Sequence, residues 1–210
     1  MIQLLLFPFN GNAIEALDCI EADSRFKVLG FIDDNKDLHE KTFFGLQIFS
    51  RKALDDFPEA KILAVPGSPE SYLKRAEVIE SLKIRPDRFT TVIHPKACVS
   101  KHAVIGTNSL IMAGAVISAN ARVGDHVCVL PNSVIHHDST IGDYTLVGSN
   151  VSVAGHTSIG SNCYIGSGAK IIHRIEIGNK SLVGLGSTVI RPVGHEKRVV
   201  GSPAVELVRK

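Results

Sequence analysis

Between residues 93 and 189 every sixth residue is isoleucine or valine, and this period constrains the fold more than any other feature. The series runs over seventeen positions without an insertion: Ile93, Val99, Ile105, Ile111, Ile117, Val123, Val129, Ile135, Ile141, Val147, Val153, Ile159, Ile165, Ile171, Ile177, Val183 and Val189. Ile and Val make up 42 of 210 residues. Chance would therefore produce the series roughly once in 10^12 trials. Neither an amphipathic helix nor a coiled coil has a period of six, so a solenoid of short strands is predicted.

Two further patterns share this register. Four positions after the aliphatic residue the side chain is mostly small: Ala97, Ala103, Ser109, Ala115, Ala121, Ser133, Ser139, Thr145, Thr157, Cys163, Ala169, Ser181 and Ser187. Directly after it, glycine recurs at intervals of eighteen, in one series at Gly106, Gly124, Gly142, Gly160 and Gly178 and in another at Gly148, Gly166 and Gly184. Three hexads therefore form one coil, which predicts a triangular parallel β-helix of five to six coils. In this interpretation the glycines take backbone conformations that other residues resist.

The first ninety residues have the alternating order of a small Rossmann-like α/β unit. Apolar strands are predicted at 2–7, 27–32 and 62–65, with helices at about 13–22 and 69–83 and a short helix ending at 54–56. This order predicts a parallel sheet with ligands at the carboxyl ends of its strands. The G-x-G-x-x-G pattern is absent, which argues against a nicotinamide cofactor. We expect an α/β unit at 1–90, a β-helix at 91–194 and a tail at 195–210.

Charge and composition exclude several function classes. A net charge of +2 and a low aromatic content of 6% argue against a nucleic-acid binder. No apolar run is long enough to span a bilayer, and the first ten residues lack the basic start of a signal peptide. The four cysteines are widely spaced, so we expect reduced thiols and a cytoplasmic protein.

Several segments resemble one family of enzymes. They are Gly30-Phe31-Ile32-Asp33-Asp34, Val92-Ile93-His94-Pro95, Ile135-His136-His137-Asp138, Ala154-Gly155 and Gly201-Ser202-Pro203-Ala204. With the order of the two units, they resemble hexapeptide-repeat sugar acetyltransferases of bacterial surface glycan biosynthesis. The resemblance implies a left-handed β-helix and a homotrimer. It also implies acetyl transfer from acetyl-CoA, without a metal, to the 4-amino group of a nucleotide-linked amino-dideoxy sugar.

The resemblance also assigns roles to individual residues. It implies His137 as general base with Asp138 in support, and a backbone N–H of Gly155 that holds the acetyl carbonyl. The acetyl-CoA-binding residues it implies are Gly155, His156, Ser167 and Leu185. The substrate-binding residues it implies are Asn10, Gly11, Asn12, Asp33, Asp34 and His136.

Two positions depart from the family pattern. The first-turn loop, 8–12, lacks the family's glycine-rich sequence and its histidine. Leu146 stands where the family often has a second histidine.

The chemistry of the residues is compatible with these roles. Imidazole titrates in the range that a general base for an amine needs, and a neighbouring carboxylate can fix its tautomer. His137, Gly155 and His173 are eighteen residues apart, so they should stack at about 4.8 Å per coil. No covalent intermediate is required, so direct transfer is preferred.

Three other functions stay open at this point. O-acetylation of sialic acid or another sugar hydroxyl would use the same base. A zinc enzyme that hydrates carbon dioxide would need three imidazoles around one ion, and His137 and His173 lie two coils apart. A non-catalytic scaffold would bind partners through the faces of the prism. The sequence does not indicate which nucleotide, UDP, GDP or dTDP, would be bound.

Overall fold

The computed structural model of the chain describes residues 1–207. Its first part is a five-stranded sheet with three short α-helices. The elements are β1 (Ile2–Phe7), α1 (Gly11–Glu21), β2 (Phe26–Ile32), β3 (Thr42–Phe43), β4 (Leu46–Phe49), α2 (Ala53–Asp56), β5 (Lys61–Ala64) and α3 (Arg75–Glu80). Single 3-10 turns lie at Lys36–Leu38, Tyr72–Lys74 and Pro86–Arg88. The strand order is β3-β4-β2-β1-β5, and only the edge strand β3 is antiparallel to its neighbour.

The predicted parallel sheet is confirmed, and two details differ from the prediction. The helix expected at 69–83 is a 3-10 turn followed by the six-residue α3. The segment before it is a turn, in which the Ser71 N–H donates to the Ser68 carbonyl at 3.1 Å and the Ser71 hydroxyl accepts from the Ser68 N–H at 3.0 Å. Strands β3 and β4 were not predicted, since their two and four residues give too short a pattern to recognise.

The second part is a triangular β-helix of two-residue strands. A covered face holds β6 (Val92–Ile93), β9 (Leu110–Ile111), β12 (Cys128–Val129), β15 (Leu146–Val147), β18 (Tyr164–Ile165) and β21 (Leu182–Val183). A second face holds β7 (Cys98–Val99), β10 (Val116–Ile117), β13 (Val134–Ile135), β16 (Ser152–Val153), β19 (Lys170–Ile171) and β22 (Thr188–Val189). A third face holds β8 (Val104–Ile105), β11 (Arg122–Val123), β14 (Thr140–Ile141), β17 (Ser158–Ile159) and β20 (Glu176–Ile177).

Every strand of the β-helix pairs in parallel with the strand eighteen residues away, as the period predicts. The Ile and Val residues of the series form one continuous core inside the prism. Buried hydroxyls complete it: Ser133, for example, donates to the carbonyl of Gly148 at 2.6 Å. Within the expected tail, β23 (Arg198–Gly201) and β24 (Ala204–Glu206) form a hairpin that extends the covered face.

The role expected of the glycine series is wrong. None of these glycines has a positive φ; they are required because the next coil lies too close for a side chain. A Cβ on Gly124 would lie 2.9 Å from the backbone N of Asp143. The left-handed conformations fall two residues later, on Asn108, Asn150, Asn162, His126, Tyr144, Lys180, Gly168 and Gly186. Glycine, Asn and His tolerate this region better than most residues.

The α/β unit lies on the covered face. Its residues Leu4, Leu6 and Ala16 share one apolar core with Leu110 and Leu146 of the β-helix. No residue of the described range 1–207 packs over the second and third faces in the way that the α/β unit covers the first. Three corners follow from the chain order: the first between the covered and second faces, the second between the second and third, and the third between the third and covered.

Candidate active site

The His-Asp segment forms the second corner, in the turn between β13 and β14. Ile135 and Ile141 are buried in the core on either side, and the four residues between the two strands, 136–139, form the turn. Asp138 has a φ of 57°, in the left-handed region that aspartate tolerates. The side chains of His136, His137 and Asp138 are exposed to solvent.

His137 and Asp138 form a hydrogen-bonded pair. The two atoms, His137 Nδ1 and Asp138 Oδ2, lie 2.7 Å apart. Since an ionised carboxylate only accepts, Nδ1 carries the proton and donates, which leaves Nε2 as the basic atom. Hydrogen bonds from His137 and then from Asn120 hold the pKa of Asp138 below its ordinary value. Asp138 therefore stays ionised at neutral pH.

Gly155 lies directly above His137, one coil further along. A Cβ at Gly155 would lie 2.8 Å from both Cε1 and Nε2 of the His137 ring. Any residue other than glycine would therefore displace the ring. The neighbouring N–H groups of Ala154 and His156 donate to the carbonyls of Ile171 and His137. Within residues 1–207 the N–H of Gly155 donates no hydrogen bond, so the residue packed against the His137 ring has an unused donor.

His156 belongs to the same cluster. Its ring meets that of His137 edge-on with centroids 5.1 Å apart, and its Nε2 lies 3.8 Å from Asp138 Oδ2. His136 does not join the cluster: within the part of the chain that the structure describes, its side chain makes no hydrogen bond.

Two imidazoles and a carboxylate are ligands that zinc accepts, and one potential donor atom from each of His137, Asp138 and His156 lies within 4.8 Å of the others. The geometry fits an ion poorly. Ligand atoms around tetrahedral zinc lie about 3.3 Å apart. His137 Nδ1 and Asp138 Oδ2 are 2.7 Å apart and share a proton. The cluster instead has the geometry of a hydrogen-bonded histidine–carboxylate pair.

A second candidate site is a pocket of about 570 Å³ at the first corner. Asn10, the residue before α1, lines it together with Gly11 and Asn12, the first two residues of that helix. The loop after β5 lines it as well, and it is tied to Asn12 by a hydrogen bond from Asn12 Nδ2 to the carbonyl of Gly67 at 3.2 Å. The β-helix closes it with Leu130, Leu146, Val147, Gly148 and Tyr164. Asn10 caps α1, because its Oδ1 accepts from Ala13 N at 2.9 Å. The α1 N-terminus thus faces the pocket, an arrangement that suits a phosphate.

The two acids at the end of β2 already have partners. Asp33 Oδ2 accepts from the N–H of Phe9 at 3.0 Å, which ties β2 to the first-turn loop. Asp34 accepts two hydrogen bonds from Arg51, at 2.6 and 2.7 Å. Neither acid lines the 570 Å³ pocket.

The predicted residues therefore divide between two corners. His137, Asp138, Gly155 and His156 meet at the second corner. Ser167 and Leu185 lie on the first corner. They occupy the same position as Ser149 in successive coils, and the Ser149 N–H donates to Ser167 Oγ at 3.0 Å. A face of about five extended residues separates the corners, on the order of 15 Å. One chain does not bring the two groups together.

Two parts of these sites were not predicted from the sequence. Asn120 contacts Asp138 from the coil below, and its position eighteen residues earlier was a usable signal. The loop Pro66–Pro69 lines the pocket, and its place after the carboxyl end of a parallel strand could have indicated it.

Comparison with known proteins supports the fold. Residues 120–155 and 156–191 match the family model described as bacterial transferase hexapeptide (six repeats). The two matches together cover residues 120–191 of the prism. A comparison with curated proteins finds no match. In the residues that the structure describes, no helix has the length and apolar character needed to cross a bilayer.

Solved structures extend the likeness to the whole chain. A mutant of GDP-perosamine N-acetyl transferase from Caulobacter crescentus, in complex with CoA and GDP-perosamine, is 22% identical with a TM-score of 0.87, covering 100% of this chain and 98% of that one. The acetyltransferase domain of PglB from Neisseria gonorrhoeae, in complex with acetyl coenzyme A, is 23% identical with a TM-score of 0.85, covering 98% of each chain. WeeI from Acinetobacter baumannii is 23% identical with a TM-score of 0.81, covering 99% of this chain and 100% of that one. The expected fold, an α/β unit followed by a left-handed β-helix of hexapeptide repeats, is confirmed.

Proposed function

We propose that this protein transfers an acetyl group from acetyl-CoA to the 4-amino group of a nucleotide-linked amino-dideoxy sugar. The single observation that carries the proposal is the His137–Asp138 pair packed against Gly155, whose N–H donates no hydrogen bond within residues 1–207. Two similar folds support it: one is an N-acetyl transferase in complex with CoA and GDP-perosamine, and the other is an acetyltransferase domain in complex with acetyl coenzyme A. A place in bacterial surface glycan synthesis stays a prediction.

In the proposed reaction His137 acts as the general base. The amine nitrogen of the sugar attacks the thioester carbonyl carbon, and Nε2 takes the proton that the nitrogen loses. Asp138 stabilises the imidazolium that forms and keeps Nδ1 as the donor. The carbon–sulfur bond then breaks, and the departing CoA thiolate takes the proton from His137.

Gly155 supplies the oxyanion donor in this proposal. Its N–H is free of other acceptors within residues 1–207, and it lies beside the basic atom of His137. Charge develops on the carbonyl oxygen as the amine attacks, so a donor about 3 Å away stabilises the transition state more than the substrate.

The pocket at the first corner would hold the nucleotide sugar. The first N–H groups of α1 have no partner inside the helix, and they carry the positive end of its dipole. Gly11 leaves its surroundings open, since a Cβ there would meet nothing within 4 Å. These features suit the diphosphate of a nucleotide sugar, although the loop lacks the family's histidine.

The distance between the corners supports a homotrimer. Within one chain the pocket and His137 lie one face apart, so a second chain must bring its pocket beside His137. The uncovered second and third faces are available for that contact. The acetyl donor would lie in the groove between two prisms, near His156 of one chain and near Ser167 and Leu185 at a first corner. Because the cysteines are unpaired, we also propose that the protein works in the reducing cytoplasm.

A substrate panel tests the reaction. The protein is incubated with acetyl-CoA and 4-amino sugars carried on UDP, GDP or dTDP, with sialic acid in parallel, and products are identified by mass. We expect the amine to gain one acetyl group, and His137→Ala to lose the activity. Acetylation of sialic acid alone would replace the proposal with O-acetylation. Bound zinc with carbon dioxide hydration, or no turnover of any acyl-CoA, would reject it.

Mixed trimers test the shared site. His137→Ala removes the base, and Gly11→Asp places a carboxylate at the expected diphosphate position. Co-refolding the two inactive variants should restore part of the activity, because some interfaces then pair an intact base with an intact pocket. Sedimentation should show trimers. A fully active monomer at micromolar concentration, or no recovery in verified mixed trimers, would contradict the shared site.

A further inference from the structure

The carboxylate of Asp138 is held from the coil below as well as by its neighbour in sequence. Asn120, Asp138 and His156 are eighteen residues apart and occupy the same position in three successive coils. All three have left-handed backbones, with φ of 60°, 57° and 58°. Their side chains therefore leave the second corner in the same direction, one above another.

Each oxygen of Asp138 has a different partner. Oδ2 accepts from His137 Nδ1 at 2.7 Å, and Oδ1 accepts from Asn120 Nδ2 at 3.2 Å. A carboxylate is planar, so a partner that fixes Oδ1 also fixes the direction in which Oδ2 points.

His156 is the competitor for this carboxylate. Its Nε2 lies 3.8 Å from Asp138 Oδ2, too far for a hydrogen bond and close enough for one after a small rotation of the carboxylate. If Asp138 turned toward His156, then His137 would lose the acceptor that keeps its Nδ1 protonated.

We propose that Asn120 is a positioning residue: it holds Asp138 on His137 and away from His156. This inference rests on the proposed function, because it assigns Asn120 to the step in which His137 takes the amine proton. Asn120 touches neither substrate and acts only through Asp138.

The turn geometry alone does not account for the contact. Asparagine also occupies left-handed corners at Asn132 and Asn150, where the backbone conformation explains the residue type. Asn150 has a φ of 56°, is exposed, and makes no side-chain hydrogen bond within the described part of the chain. It provides a matched control for every substitution at Asn120.

The charged surroundings are few. His102 and Arg122 line a shallow groove of about 350 Å³ with Asn120 and Asp138 along the third face, and Arg174 lies one coil beyond His156. Among residues 1–207, the titratable and charged groups that face the carboxylate are these together with His137, His156 and the neighbouring His136.

The test compares Asn120→Gly with Asn150→Gly. Glycine accepts a positive φ, so both variants should fold and melt like the parent. We expect Asn120→Gly to lower kcat about fivefold to tenfold, the value of one hydrogen bond to a charged group at an exposed site, with both KM values unchanged. Asn120→Asp should cost more, because it replaces a donor with a second negative charge, whereas Asn150→Asp should cost nothing.

A double-mutant cycle separates positioning from a structural effect. Asp138→Ala removes the group through which Asn120 acts, so adding Asn120→Gly to it should lower kcat no further. A full additional loss in that background, or equal losses at Asn120 and Asn150, would overturn the proposal.

A measurement without substrate distinguishes this inference from the proposed function. The carboxyl carbon of Asp138 can be followed by NMR during a pH titration of the intact protein. Its pKa should rise in Asn120→Gly, which removes a hydrogen bond to the ionised form, and stay unchanged in Asn150→Gly. An unchanged titration in Asn120→Gly would overturn the positioning role. A raised pKa in a protein that acetylates no sugar would refute the proposed function and leave the contact established.

Discussion

The β-helix and the α/β unit position their residues by different means. In the β-helix a residue's number modulo eighteen determines its face and corner, and each coil repeats the contacts of the last. In the α/β unit, single contacts between distant residues determine the geometry. Asn108 is an example: its amide accepts from Ala64 N at 2.7 Å and donates to Ala64 O at 2.8 Å. The Asn108 side chain thus pairs with both backbone groups of Ala64, the last residue of β5, as the backbone of a neighbouring strand would.

Arg75 is a second residue whose contacts with distant residues determine how the α/β unit packs on the β-helix. This fully buried guanidinium donates to the carbonyls of Pro66, of Tyr144 at 2.9 Å and of His126 at 2.6 Å. It joins the pocket loop to two coils at the third corner, and no carboxylate is among its hydrogen-bond partners in the described residues 1–207. Burial lowers the pKa of Arg75. Because the coils repeat the same contacts, we expect a substitution in the β-helix to act locally. A substitution of Arg75, in contrast, should change how the α/β unit packs on the β-helix.

The largest expected effect tests the register of the β-helix. His137→Ala should lower kcat about 10²- to 10⁴-fold, the usual contribution of a general base. His136→Ala is the matched control and should lose much less, since its side chain lies outside the cluster. Both variants should melt like the parent because both side chains are exposed. A larger loss at His136 would show that the register assigned to this corner is wrong.

The next prediction tests the seating of the α/β unit. Arg75→Met leaves three carbonyls without their donor, and we expect it to lower the free energy of unfolding by about 3 kcal/mol. Calorimetry should resolve an early transition of the α/β unit, with the prism melting later. Arg85→Met, at an exposed ion pair in the same unit, is the control and should have little effect. A single unshifted transition would mean that the apolar contacts alone seat the unit.

Gly155→Ala addresses the crowding above His137. The added methyl would lie 2.8 Å from the ring and displace it, so we expect kcat to fall about tenfold to a hundredfold. Stability should change little, because the displaced group is the end of an exposed side chain. Gly194→Ala is the control, since a Cβ there meets nothing closer than 3.6 Å. Unchanged kcat would remove Gly155 from the site.

Replacing the acids after β2 tests whether nucleotide binding depends on them. Asp33→Ala releases the first-turn loop that lines the pocket, so KM for the nucleotide sugar should rise about fivefold with KM for acetyl-CoA unchanged. Asp34→Ala breaks the ion pair with Arg51. If Asp34 also contacts the nucleotide, KM for the nucleotide sugar should rise by a similar factor. Lower stability with unchanged KM would assign both acids to the turn alone.

The smallest effect concerns pH. His126 stacks on Tyr144, and burial, the main cause, lowers its pKa. Its Nδ1 accepts from Asn108 Nδ2 at 2.9 Å, which requires the unprotonated nitrogen. The unfolded chain therefore binds more protons, and stability should fall as pH drops below about 6.5, the ordinary pKa of histidine. His126→Gln should show a shallower decline in melting temperature between pH 7 and 5.5. An identical decline would contradict this role.

The two regions also differ in how far their structure could be predicted. The period of six predicted every strand of the β-helix and the stacking of Gly155 on His137, and the same register would have indicated Asn120. Strands β1, β2 and β5 and the first helix of the α/β unit followed from apolar runs, whereas β3 and β4 were too short to be predicted. Arg75 and Asn108 could not be predicted, because their role depends on which face of the prism the unit covers. Nor did the sequence indicate that Asp34 would pair with Arg51, since that contact joins two loops seventeen residues apart.

The spacing of eighteen makes the prism behave like a reading frame. One inserted residue within a coil would shift every later side chain to a different place, much as a frameshift changes every later codon. An insertion of six would rotate later residues by one corner and separate the His137 cluster from the coils above it. Only whole coils can be gained or lost without scrambling the columns. Each such change would lengthen or shorten the proposed acetyl-donor groove by about 4.8 Å while leaving the His137 cluster in place.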